Sequence, residues 1–390
     1  MLIGVPLETA AGETRVAVTP ETAKKLKAQG HVIRLQSGAG VAASATDEAY
    51  TAAGAEITDR AGAFACELVL KVRSPDADEL SLMKPGTALV GMLNPFDRDG
   101  LGRLAAAGLT SFALEAAPRT TRAQSMDVLS SQANIGGYKA VMIAADKYQR
   151  LFPMLMTAAG TITPAKVLVL GAGVAGLQAI ASSRRLGAVV QAYDVRAAVK
   201  EQIESLGAKF VELKLDTADA EDKGGYAKAL TEEQVQRQRE QLAEVVAGCD
   251  VVIATAAIPG KRSPLLVTAD AVRRMAPGSV IVDLAAERGG NCELTRADET
   301  VVENGVTILG PTNLASDVPY HASQMFAKNV VTLLQLLTQK RELVIDLKDE
   351  VIRETLAAKD GQVQPPRLRE ALGLGPLLQP PEPAPINHLA

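Results

Sequence analysis

Apolar residues fall into short runs separated by amphipathic stretches along most of this chain. Between residues 2 and 117 the runs LIGVPLE, HVIRLQSG, ELVLKV and TALVGMLNP are interleaved with TPETAKKLKAQG and DEAYTAAGA. Strand, helix, strand units of this kind build a mostly parallel sheet. The first amphipathic stretch carries a start signal: Thr19 as N-cap, Pro20 at the first helical position and Glu21 in the first turn.

A long helical pattern spans about 132 to 150, and the most regular α/β stretch follows it. The strand AKVLVL at 165–170 leads through GAGVAG into a helix that ends near Leu186, and AVVQAYDV at 188–195 is the next strand. KFVELKL, CDVVIATA, SVIVDLA and VTILGPT continue the pattern as buried parallel strands. YHASQMFAKNVVTLLQLLTQK, residues 320–340, predicts a second long amphipathic helix. The chain is therefore expected to be α/β, with two Rossmann-like domains, parallel sheets covered by helices on both faces, a cleft between them and two long helices linking them. The expected bounds are 1–133 plus 322–390 for one domain and 134–321 for the other. The Pro-rich end GPLLQPPEPAPINHLA reads as a linker or disordered tail.

Composition supports the two-domain expectation, because 390 residues exceed one ordinary hydrophobic core. Aromatics are only 3% and Trp is absent, so Ala, Val, Leu and Ile must fill the interior. A formal charge of −4 and no block of consecutive Lys and Arg argue against a nucleic-acid partner. Cys66, Cys249 and Cys292 are widely spaced and form no CxxC pair, which suggests neither disulfides nor a metal site and fits a reducing cytosol. No signal-peptide pattern opens the chain, and its apolar stretches are broken before about 18 residues. A cytoplasmic location without direct membrane insertion is expected.

The strongest chemical motif is the glycine loop. Gly171, Gly173 and Gly176 follow an apolar strand and open a helix, and Asp194 ends the next strand. Gly171 suits the tight turn, Gly173 the approach of a pyrophosphate to the backbone, and Gly176 close packing of helix on strand. A carboxylate at Asp194 accepts from both ribose hydroxyls and repels a 2′-phosphate, which favours NAD(H) over NADP(H). Arg196 qualifies that preference, because a cation there can bind such a phosphate. A Rossmann unit that binds nothing is the alternative. The stretch DTADAEDKGGYAKALTEEQVQRQREQLAEVVAGC is long for a crossover and reads either as a lid or as a solvated surface segment.

A polar cluster precedes the first long helix: Arg119, Arg122, Gln124, Asp127, Ser130, Ser131, Gln132 and Asn134. Nearby acid/base groups are scarce, since the chain has three histidines, of which His31 and His388 read as surface residues and His321 as structural. Lys71 and Arg15 are candidates for holding a small anion, but isolated cations at strand ends are usually solvated, and both read that way. An acceptor of hydride that needs no proton, such as a second nicotinamide, would account for the missing base.

With GVPLETAAGETRVAVTP, the 121–131 stretch, FPMLMTAAGTI, GAGVAGLQAIA, GGYAK, IPGK, DLAAERGGNCE and FAKNVVTLL in hand, the chain resembles the NAD(H)-binding domain I of the proton-translocating nicotinamide nucleotide transhydrogenases. The resemblance covers nearly the whole chain and extends to the related alanine dehydrogenases. It implies a loop over the nicotinamide in which Arg119, Gln124, Asp127 and Ser130 form the catalytic set, with Arg122 also at the cofactor. It assigns Gly171, Ala172, Gly173, Val174 and Gly176 to the pyrophosphate turn, Asp194, Val195 and Arg196 to the adenosine ribose, Gly225 and Tyr226 to a mobile loop, and Ala257 to a further contact. It implies NAD(H) as cofactor, no metal, and a homodimer paired with an NADP(H)-binding beta subunit. A membrane-spanning subunit would seat the whole at the inner membrane.

Alanine dehydrogenase is the alternative. That family is expected to use a Lys, an Arg near the N-terminus and a His; Lys71 and Arg15 stand at matching places, but a residue near Asn94 replaces the His. An Asn cannot relay a proton at neutral pH. An NAD-binding regulatory module without turnover is the third reading.

Overall fold

The computed structural model describes residues 1–214, 231–258 and 262–377. They divide into two compact units. The first comprises Met1–Ala10, Arg15–Val128 and the chain from Phe326 onward; the second comprises Ala11–Thr14 and Leu129–Met325.

Six strands of the first unit come first along the chain: β1 Leu2–Val5, β2 Val32–Gln36, β3 Glu56–Thr58, β4 Leu68–Arg73, β5 Ala88–Met92 and β6 Thr110–Ala113. They run parallel in the spatial order β3-β2-β1-β4-β5-β6. Both faces are buried, because a strand turns alternate side chains to opposite sides. In β4, Leu68, Leu70 and Val72 enter one core while Val69 enters the other. The helix Pro20–Ala28 begins where its sequence signal lies: Thr19 and Thr22 cap each other's backbone N–H groups, and Pro20 occupies the first turn.

His31 departs from its expected surface place. It is 5% exposed, its Nδ1 makes no hydrogen bond, and burial, then the charges of the N-terminus and Arg341, lower its pKa. The apolar strand that follows it draws the ring inward.

In the second unit, β7 Leu155–Thr157 and β8 Gly160–Ile162 form a small antiparallel hairpin. Its main sheet is built from β9 Lys166–Leu170, β10 Val189–Tyr193, β11 Lys209–Phe210, β12 Val251–Ala254, β13 Val280–Asp283, β14 Thr300–Glu303 and β15 Val306–Leu309. The order is β11-β10-β9-β12-β13-β15-β14. Alternation again fills both faces: Val167 and Val169 of β9 join one core, Leu168 and Leu170 the other. The KFVELKL run yields only the two residues of β11. The edge strand β14, absent from the sequence reading, is antiparallel to β15. Asn304 and Gly305 between them both have positive φ, 49° and 77°, as a two-residue hairpin turn requires.

The chain then returns to the first unit. After the short hairpin of β16 Thr338–Gln339 and β17 Glu342–Leu343, β18 Leu356–Lys359 pairs antiparallel with β6, and β19 Gln362–Val363 closes that edge. Neither sheet is purely parallel. The two long helices are Val128–Lys147 and Pro319–Leu337. The chain changes unit at the start of the former and within the latter, and twice more around Ala11–Thr14, which the two-helix expectation lacked. Among the described residues no helix is long and apolar enough to cross a membrane.

Candidate nucleotide site and the loop before the first long helix

In the second sheet β9 and β12 are neighbours from which successive strands are laid down in opposite directions, the switch point where open α/β sheets bind ligands at their carboxyl ends. The glycine loop stands there. Gly171 follows β9 with φ +93°, and a Cβ on it would lie 2.9 Å from both Ala256 N and Thr255 Oγ1. A Cβ on Gly176 would lie 1.8 Å from the carbonyl oxygen of Gly171. Thr255 Oγ1 donates to that same carbonyl at 2.9 Å. Around Gly173, by contrast, a Cβ would meet nothing within 4 Å. Gly173 is the N-cap of the helix Val174–Arg185, and no side chain caps that end, so the positive helix terminus is presented by backbone alone. Gly137 of the first long helix is a member the sequence reading missed: a Cβ there would lie 2.1 Å from the carbonyl oxygen of Ala175. The Gly136-Gly137 pair inside a helical pattern was the available sign.

Asp194, directly after β10, is buried and tied to the turn. Its Oδ2 accepts from Ala172 N at 2.7 Å and from Arg196 Nη2 at 2.9 Å; its Oδ1 accepts from the N and Nε of Arg196 at 2.9 and 3.0 Å. Val195 and Arg196 are half-buried and Val174 exposed. Ala257 is exposed beyond the end of β12, beside a segment held from below. Asn291 accepts from Ala256 N at 2.9 Å and donates to the Ala256 and Pro264 carbonyls, each at 2.8 Å. Asp283 in turn accepts from the N–H groups of Ala285, Asn291 and Cys292 and from the Thr295 hydroxyl. Burial raises the Asp283 pKa against these four donors. Neither Asp283 nor Asn291 stood out in the sequence, since nothing local marks a buried strand-end carboxylate as a loop anchor.

The polar cluster divides between the units. Arg119, Arg122, Gln124 and Asp127 belong to the first unit and Ser130 to the second, as do the glycine loop, Asp194, Val195, Arg196 and Ala257. Gly225 and Tyr226 lie outside the described residues. Thr121–Met126 forms a 3-10 turn, and the long helix starts at Val128, a few positions ahead of its expected start. Ala123 and Met126 are buried in the first unit's core, whereas Arg119, Arg122 and Gln124 are exposed and Asp127 half-buried. Two further attachments hold the turn. Arg122 pairs with Asp349, and Asn329 Nδ2 donates to the Ser125 carbonyl at 2.9 Å. Burial pushes the Asp349 carboxyl up, but the Arg122 hydrogen bond and the N–H groups of Val351 and Ile352 outweigh it and leave its pKa lowered.

Lys71 and Arg15 are not the solvated cations their sequence settings suggested, being 1% and 2% exposed. Lys71 Nζ lies 3.2 Å from Glu8 and 3.0 Å from Glu79, and Thr9 Oγ1 donates to Glu79 at 2.9 Å. Glu8 also accepts from Val72 N at 2.6 Å and from Arg73 N at 3.3 Å. Burial raises the Glu8 pKa although Lys71 pulls it down. A Lys at this depth is retained because two carboxylates compensate it. Asn94 sits at φ +51°, a backbone state Asn tolerates better than most residues, with its N–H donating to Glu115 at 2.9 Å.

A glycine turn of this geometry at the switch point of one doubly wound sheet, with a second such sheet beside it in the chain, defines a two-unit Rossmann-type protein. The models of the alanine dehydrogenase/PNT N-terminal and C-terminal domains match residues 4–136 and 140–366, and the chain belongs to this family. It is 47% identical over 379 residues to the first of the polypeptides that make up subunit alpha of the Rhodospirillum rubrum NAD(P) transhydrogenase, covering 94% of this chain and 99% of that protein. The structure of a transhydrogenase from Sinorhizobium meliloti superposes with a TM-score of 0.84 at 44% identity, covering 93% of this chain and 100% of that one. Alanine dehydrogenase of Bacillus subtilis is more distant, 30% identical over 374 residues, with 93% and 92% covered.

Proposed function

We propose that the chain is the NAD(H)-binding subunit of a proton-translocating transhydrogenase, passing a hydride directly between NADH and NADP+ held on a partner subunit. The observation that carries this is the second unit's turn, where Gly171 is left-handed, Gly176 admits no side chain and the carboxylate of Asp194 ends the next strand. That set fits an adenine dinucleotide lacking a 2′-phosphate, and the chain binds NAD(H). The identity to the Rhodospirillum protein supports the transhydrogenase reading over the dehydrogenase, as does Asn94 where a proton-relaying His is expected.

The bound cofactor supplies the hydride from its reduced nicotinamide ring. Transfer between two such rings needs positioning and no proton, so amide, guanidinium and hydroxyl groups suffice. Gln124 and Arg119 orient the carboxamide and ribose, Asp127 shapes the loop, and Ser130 adds a hydroxyl. Gln124 acts from a firm base, with Ala123 and Met126 in the core on either side and Arg122 spent on Asp349. Tyr226 and Gly225 close the site against water. Proton movement belongs to a membrane-spanning subunit, on which this chain sits peripherally at the cytoplasmic side of the inner membrane.

The test is to mix the chain with the NADP(H)-binding subunit and follow exchange between NADH and an oxidised NADP analogue. Exchange is expected, and Gln124→Asn should slow it about 100-fold while NADH affinity stays within about threefold, the mark of lost orientation. Alanine-dependent reduction of NAD+ without exchange would replace this reading with alanine dehydrogenase. Equal losses of rate and affinity in the variant would reduce Gln124 to a binding group.

The proposed homodimer has a surface suited to it. Residues 153–163, which include the β7–β8 hairpin, are all exposed, and Met154, Leu155, Met156 and Ile162 place four large apolar side chains on it, Met156 at 70%. A lone two-stranded ribbon is marginal in water, and an apolar patch of this kind marks an interface, here with a second copy. Met156→Asp with Ile162→Asp should convert dimer to monomer in sedimentation equilibrium without lowering the melting temperature of the fold. A dimer that survives both charges would move the interface elsewhere.

A further inference from the structure

Asp194, in the proposed function, selects NADH by meeting the ribose hydroxyls and repelling a 2′-phosphate. Its contacts show a second task. Arg196, two residues on, lies against it side-on: Nε donates to Oδ1 at 3.0 Å and Nη2 to Oδ2 at 2.9 Å. This is the bidentate fork in which guanidinium and carboxylate bind most strongly. The carboxylate itself is oriented by two backbone donors, Ala172 N and Arg196 N, so the fork has a fixed seat. The Asp194 side chain is 7% exposed and that of Arg196 17%, so the pair is shielded from solvent far more than the surface ion pairs of this protein.

An Arg in this position is the residue that accommodates the 2′-phosphate in NADP-binding relatives of the fold. Here its charge is matched and its fork engaged by its own neighbour. We infer that Asp194 silences Arg196, so that the chain rejects NADPH because the cation able to bind its 2′-phosphate is held in an internal ion pair. Arg196 is thus a latent specificity-determining residue. The inference rests on the NAD(H) reading of this site.

Repulsion alone and sequestration make different predictions. If Asp194 acts only by repulsion, removing its charge helps NADPH to the same extent whatever stands at 196. If it silences Arg196, the gain needs the arginine. NADPH affinity is to be measured by nucleotide fluorescence on the full chain, as wild type, Asp194→Asn, and Asp194→Asn with Arg196→Leu. Asp194→Asn should bind NADPH at least about tenfold more tightly than wild type, and the double variant should return to within about threefold of it. The gain should also shrink with added salt, since it is a charge contact with a phosphate.

Double and single variants of equal NADPH affinity, or no gain in the single variant, overturn the inference. Should Asp194→Asn fail to fold, Asp194→Ser keeps an acceptor for Ala172 N and serves in the same pair of measurements. NADH binding by the wild type separates the two levels. With NADH bound normally, a missing gain removes only the silencing of Arg196, whereas a wild type that binds neither nucleotide removes the reading of the site and the inference with it.

Discussion

Lys71→Ala should destabilise the protein by about 3–5 kcal/mol, the usual cost of leaving a buried charge without its partner. Lys71 is compensated by Glu8 and Glu79, whose side chains are 3% and 1% exposed, so its removal leaves two carboxylates sharing one buried place. The pH dependence gives the test its sign. Glu8 already has a raised pKa in the folded protein, burial being the main cause. An acid raised in this way contributes stability below its unfolded pKa and loses it as pH rises through the folded value. Without Lys71 the folded value climbs further. The deficit of the variant should therefore be greatest at neutral and alkaline pH and narrow as the pH falls toward 5. Urea denaturation of both proteins at pH 5.5 and pH 8 measures it. A small deficit, equal at both pH values, would mean that water reaches the cluster and compensates the carboxylates.

The contrast between Lys71 and the glycine loop explains which features could be read from the sequence. The glycine loop's demands are local. Gly171, Gly176 and Asp194 lie within one strand, helix, strand unit, and each is required by a contact inside that unit. Lys71 is buried because Glu8 and Glu79 converge on it from β1's far end and from a separate helix, and no local pattern announces that. Arg122 is similar, since its partner Asp349 is 227 residues away. The strands missed were those without a buried apolar run. Residues of β7 and β8 are exposed throughout, and in β14 only Val301 packs on the core, so neither gives the pattern of a buried parallel strand. The Asn304-Gly305 pair was nonetheless a readable hairpin signal between β14 and β15. The polar groups before the first long helix were legible as a cluster. Their anchorage was not, because Asn329 approaches from the second long helix, 204 residues on.

Gly176→Ala and Gly173→Ala should separate the two demands made on the nucleotide turn, shape and access. At Gly176 an added methyl would lie 1.8 Å from the Gly171 carbonyl oxygen and 2.9 Å from its carbon, both backbone atoms that cannot rotate aside. The turn or the helix Val174–Arg185 must shift, and the core at their junction is dense. The substitution should therefore lose roughly 1–3 kcal/mol or more of stability through overpacking, and abolish measurable NADH binding. At Gly173 a methyl meets nothing within 4 Å, and φ −76°, ψ −169° is backbone that alanine adopts freely. Gly173→Ala should therefore melt like the wild type. It should nonetheless weaken NADH binding by about tenfold or more, because open space beside that backbone is what a pyrophosphate at the helix terminus uses. Thermal melting and NADH fluorescence titration on the same samples measure both effects. Wild-type affinity in Gly173→Ala would show that the phosphates do not approach this face of the turn, and a stable, fully binding Gly176→Ala would show that the helix can retreat from the strand without cost.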